Sequence, residues 1–235
     1  MRDLKKQERT ALEAVARRFS ATWEKSSDAA DAYIVVAGKR VAVDIATLKV
    51  RGGGQGDEAK PRLRFDRVGA RLMDRLQAAL SETVPDSMTV LLTITAPIRL
   101  PAKTAASLED KIPTLLRRKS PGRDEKDTIH GNGVQIRILR DKSARAPRMI
   151  GFVHNSDSDP LLLLNMAGEL LELVGAEAGR RAPSRTDDRW LVVNSARGIS
   201  CLEAYRYICS QLRMATGPQK IVMVFGDGSV GILAE

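Results

Sequence analysis

A chain of 235 residues, 43% hydrophobic and 29% charged, can bury one substantial core and does not have the composition of a disordered polymer. Its first residues, Met-Arg-Asp-Leu-Lys-Lys, argue against a secretory signal, and no apolar run reaches the ~20 residues of a membrane span, so the expectation is a cytoplasmic protein with no membrane partner. The net charge of +9 is uneven: residues 149–235 carry 8 Lys and Arg against 10 Asp and Glu, so residues 1–148 hold +11, and a phosphate-bearing partner is the natural inference.

Leu4, Leu12, Val15, Phe19 and Trp23 recur at helical spacing and predict an amphipathic helix over 4–24, ended by Ser26-Ser27-Asp28. Two short apolar strands follow, 31–37 and 40–48, joined by a tight turn at Gly38-Lys39. Arg51 to Gly56 reads as a flexible loop. A second helix is expected over about 62–83, with an apolar face of Phe65, Val68, Leu72, Leu76 and Leu80, and with Gly69 permitting close approach. Met88 to Thr95 is largely apolar and β-branched and predicts a central strand. A helix over 103–119 should kink or restart at Pro113.

Residues 117–132 are charged and glycine-rich and read as a loop. Val134–Leu139 and Met149–Val153 read as strands, and Leu161–Ala178 as a helix begun by Ser158-Asp159-Pro160. Arg180 to Asp188 is a polar connection. Trp190–Val193 predicts a strand, Ile199–Met214 a helix, and Ile221–Phe225 with Val230–Leu233 a closing hairpin. Alternating strands and helices after an antiparallel pair imply an α/β fold: a mixed β-sheet with helices on its faces, expected as a single domain over 1–235. Cys201 and Cys209 are eight apart on one predicted helix, too far to bond to each other, and read as reduced core thiols. His130 and His154 form no zinc pattern.

The hairpin carries the chemistry. Asp31 stands at the start of one strand and Asp44 late in the next, where two acids can converge on Mg²⁺, a cation that prefers carboxylate oxygen. Asp31 also reads as a boundary residue capping backbone N–H groups. Asp44, between Val43 and Ile45, is unfavourable in an apolar strand unless paired or ligating. A row of basic residues, Lys60, Arg64, Arg67, Arg71 and Arg75, steps by three or four along the second predicted helix, as nucleic-acid phosphate contacts or as a solvated face.

Helix, strand with Asp, strand with an acid, then helix and inner strand resembles the core of the PD-(D/E)XK nuclease superfamily. Ala30-Asp31 stands where Pro-Asp would, Gly38-Lys39-Arg40 makes the turn, and Val43-Asp44-Ile45-Ala46 stands where the acid-x-Lys would. The match spans residues 4–95, and the resemblance implies a restriction-endonuclease-like core over 1–100 with the hairpin at 31–48 beside the 88–96 strand. Residues 133–235 would extend the same sheet. It further implies Mg²⁺ held by Asp31 and Asp44, with Glu8 or Glu13 as the helical acid, and phosphodiester hydrolysis of DNA or RNA. The lysine position is Ala46. Lys49 lies out of register with Asp44, and Lys60, Arg64 or Arg71 are the basic residues that could reach back. Activity is therefore expected to be weak or lost. The alternatives are a non-catalytic nucleic-acid-binding or assembly protein that keeps the fold, and a scaffold whose charge only confers solubility.

Overall fold

The computed structural model describes residues 3–26, 30–49, 61–118, 124–140, 147–179, 189–212 and 218–235. Lys60, the 51–56 loop and the 180–188 connection lie outside them. The fold is α/β, with mixed sheets flanked by helices. Ten strands and five α-helices are described, in two compact units: one comprises Met1–Arg51, Ala176–Ser210 and Met214–Glu235, the other Gly52–Gly175 and Gln211–Arg213. Among the described residues no helix is long and apolar enough to cross a membrane.

The first unit is built on a six-stranded sheet ordered β1-β2-β3-β8-β9-β10. Helix α1 (Lys6–Arg18) precedes β1 (Thr22–Lys25), β2 (Ala32–Val36) and β3 (Lys39–Thr47), which form an antiparallel meander. α1 is shorter than expected. Ser20 has a positive φ of 49°, which ends the helix, and Trp23 falls in an edge strand. The hairpin forms one residue earlier than predicted: Ala37 and Gly38, at φ 50° and 79°, are the turn, and Lys39 already pairs with Val36.

β8 (Arg189–Asn194) lies parallel to β3, β9 (Lys220–Val224) parallel to β8, and β10 (Val230–Ala234) antiparallel to β9. Helix α5 (Leu202–Gln211) follows a short 3₁₀ turn at Ile199–Cys201. Leu4, Leu12 and Val15 of the α1 segment pack against Val43, Ile45, Val192 and Val222, one face of the sheet. Both cysteines are buried and free, and burial pushes the Cys209 thiol up to about 12.

The second unit holds a four-stranded sheet ordered β5-β6-β4-β7. β4 (Met88–Thr95) pairs antiparallel with β6 (Asn132–Arg140) and parallel with β7 (Met149–His154). Helix α2 (Arg67–Leu80) and helix α3 (Pro101–Leu116) bury Leu72, Leu76, Leu108 and Ile112 with Val90, Leu92 and Ile94 of β4. α4 (Pro160–Gly179) closes the unit's run of elements.

Four expectations are corrected here. The hairpin does not lie beside 88–95: its inner neighbour is β8, and β4 belongs to the other sheet. Residues 133–235 are therefore not a continuous extension of one sheet; β6 and β7 join β4 and only β8–β10 join the hairpin. Part of the expected 117–132 loop is β5 (Glu125–Ile129), a charged edge strand turned into β6 at His130 and Gly131, φ 49° and 78°. Helix α3 also runs through Pro113 to Leu116, since a proline in the last turn removes a single backbone bond.

Candidate functional site

Antiparallel pairing of Ala32 with Val43 brings Asp31 to the level of Asp44. The backbone N–H of Asp31 donates to Val43 O (3.1 Å), and its Oδ2 accepts from the Ile45 N–H at 2.9 Å. The Asp31 carboxylate thus fastens the entry of β2 onto β3.

Asp44 sits in the middle of β3 with Ala42 and Ala46 on its face, the face opposite Val43 and Ile45. It is 2% exposed. Parallel pairing places Arg189 opposite Ala42, on the same face and one step from Asp44. Arg189 Nε lies 2.5 Å from Asp44 Oδ2, and Nη2 donates to Oδ1 at 3.2 Å. The Nε–H is not aimed along the shorter line, so that contact is an ion pair and the longer one carries the hydrogen bond. The guanidinium spans both carboxylate oxygens, the geometry that makes arginine the preferred partner of a buried acid.

The sequence requires a partner for Asp44 without identifying it as Arg189. The signal was present: an acid inside an apolar strand needs a cation at the same level of a neighbouring strand, and Arg189 opens the Trp190–Val193 run.

The helical acids are not brought to this face. Glu8 is buried on the α1 side that packs against Val43 and Ile45, and its Oε2 accepts the Lys5 N–H at 2.7 Å. Glu13 is exposed. Lys49 is exposed just beyond β3, and Ala46 is buried.

Tested against Mg²⁺, the donor set does not fit. One oxygen of Asp31 is held by a backbone N–H, both oxygens of Asp44 are held by Arg189, and no group of three His, Cys, Asp or Glu is placed to hold a metal among the described residues.

The basic row divides. α2 starts only at Arg67, where Asp66 caps it by accepting the Gly69 N–H at 2.7 Å, so Arg64 precedes the helix and pairs with Asp66 at 2.8 Å. Arg75 is clamped by Glu109 through two bonds of 2.7 and 3.1 Å. Arg67 and Arg71 are exposed and have no ion pair among the described residues. Phe65 and Val68, expected on the apolar face, are 69% and 46% exposed, because the buried row runs through Gly69, Leu72, Met73 and Leu76.

His154, at the end of β7, is buried, which lowers its pKa below the usual histidine value and keeps it neutral near pH 7. The carbonyl of Asn155, 2.8 Å away, only accepts, so Nδ1 carries the proton.

No protein-family model matches the chain, and neither a curated protein nor a solved structure matches it.

Proposed function

We propose that this chain is a non-catalytic nucleic-acid-binding protein on a restriction-endonuclease-like sheet, descended from a metal-dependent nuclease. Descent is supported by the first unit's α1, its antiparallel β1–β2–β3 and the strand β8 parallel to β3, with an acid in the centre of β3. The loss of catalysis rests on one observation above the rest: the Asp44 carboxylate is buried under the fork of Arg189. A divalent ion would have to displace a guanidinium that neutralises the acid, and Ala46 supplies no ammonium beside the scissile phosphate. Losing one such charge aimed at the transition state typically costs on the order of 10²–10³ in rate. Binding is supported by the net charge of +9 and by Arg67 and Arg71, exposed and without acidic partners among the described residues.

The test is fluorescence anisotropy with labelled DNA and RNA, duplex and single-stranded, across a salt series. Each phosphate that the protein ceases to neutralise takes about 0.9 off the slope of log K against log salt on duplex, so Arg67→Ala with Arg71→Ala should flatten it by about 1.8. No cleavage is expected with Mg²⁺ or Mn²⁺. Absence of binding to every form would overturn the proposal, and metal-dependent cleavage abolished by Asp44→Asn would restore the catalytic reading.

A further inference from the structure

We infer that the start of α2 is a single-strand site, in which Phe65 stacks an unpaired base while Arg67 and Arg71 hold the flanking phosphates. This inference rests on the nucleic-acid reading above and deepens it by naming the form bound. Five large hydrophobic side chains are prominently exposed among the described residues, and two of them, Phe65 and Val68, stand three residues apart here. Phe65 is 69% exposed, which is costly for an aromatic residue in water.

The ring is nevertheless held on fixed backbone. On one side, the Arg64 N–H donates to Val153 O at 2.8 Å, the Arg62 N–H to Ser158 Oγ at 2.6 Å, and the Asn155 N–H to Arg62 O at 3.0 Å. On the other, Asp66 caps α2 at 2.7 Å. An aromatic side chain presented from ordered backbone is what base stacking uses, since every base has a π-face.

Charge selects the occupant. Arg64 and Arg62 are already paired, with Asp66 (2.8 Å) and Asp157 (2.6 Å), whereas Arg67 and Arg71 lie one turn apart and are available for phosphate oxygens. Two apolar side chains in one turn are too narrow a face to anchor in a bilayer. A duplex hides its base faces, so only an unpaired base can use the ring.

The experiment compares a labelled oligothymidylate, a duplex of equal length and anionic phosphatidylserine vesicles as probes. The proteins are wild type, Phe65→Ala, Phe65→Trp, and Arg67→Ala with Arg71→Ala. Phe65→Ala should weaken the single strand about tenfold and leave the duplex unchanged, and Phe65→Trp should restore binding. If Phe65→Ala changes nothing while the arginine pair weakens both nucleic acids, the stacking site is refuted and the nucleic-acid reading survives. If the wild type binds no nucleic acid, both fall. If Phe65-dependent binding appears with vesicles alone, the occupant is a membrane surface and the inference is overturned.

Discussion

Arg189→Ala is the perturbation that most directly interrogates the sheet. The change removes the guanidinium and leaves a carboxylate that is 2% exposed in the middle of β3. Two unit charges about 4 Å apart attract by about 4 kcal/mol at an effective dielectric of ~20. Breaking a buried pair from one side costs about 3–5 kcal/mol, because the remaining charge stays buried. Asp44→Asn is the milder cut. The amide oxygen still accepts from Nη2, and the Arg189 side chain, 18% exposed, retains some access to water, so about 1–2 kcal/mol is expected. Replacing both, Asp44→Leu with Arg189→Met, removes the desolvation cost with the attraction and should return stability close to wild type.

Urea unfolding followed by tryptophan fluorescence measures these differences in the relevant unit alone. The chain has two tryptophans, Trp23 on β1 and Trp190 on β8, both in the first unit, and Trp190 packs against Phe19 with ring centroids 4.8 Å apart and planes tilted by 59°. The Arg189→Ala deficit should narrow in acid, where a carboxyl buried without its counter-ion takes up a proton. An Arg189→Ala midpoint within ~0.5 kcal/mol of wild type would refute the claim that this pair holds the acid.

Two further outcomes are expected in the second unit. A Cβ added at Gly151 would run into Met73 Sδ, where α2 presses on β7, so Gly151→Ala should cost about 1–3 kcal/mol in circular-dichroism melts and Met73→Ala should recover part of it; an unchanged melt would show that the packing yields freely. The side-chain hydrogen bond from Lys111, then the Thr128 N–H, holds the Asp127 carboxyl below its ordinary value. A depressed carboxyl stabilises the fold above its unfolded pKa of about 3.9 and loses that contribution as pH falls through the folded value, so a small gap in urea midpoint between wild type and Lys111→Met at neutral pH should close in acid. Asp127 is 39% exposed, which keeps the gap small, and a gap that persists unchanged in acid would point to lost packing of the lysine stem.

The elements that could be read from the sequence were those with a periodic apolar pattern. β3, β4, β8 and β9 are β-branched runs, and Gly38 marks the hairpin turn. β5 was hidden because Glu-Lys-Asp-Thr-Ile carries the polarity of a loop, and only an edge position makes such a strand stable. Trp23 follows Phe19 at helical spacing, yet the backbone has already turned at Ser20. At the candidate site, the need for a partner at Asp44 was legible and its identity was not. Asp44 and Arg189 are 145 residues apart, and local pattern carries no information about which parallel strand closes beside β3.

That closure also changes what the charge means. Along the linear chain, the excess of +11 over residues 1–148 surrounds the hairpin. The residues of 52–175 belong to the other unit, and when Lys and Arg are set against Asp and Glu unit by unit the balance is +5 for the first and +4 for the second. Net charge therefore favours neither sheet as the binding surface. Ion pairing consumes some cations, Arg189 with Asp44, Arg64 with Asp66 and Arg75 with Glu109, and leaves others exposed, Lys6, Arg17, Lys103 and Arg117 as well as Arg67 and Arg71; the last two are set apart by an exposed aromatic residue, Phe65, close in sequence. On this reading the old acid position and the present binding surface are separate, and substitutions at Asp44 should alter stability without altering the salt dependence of nucleic-acid binding.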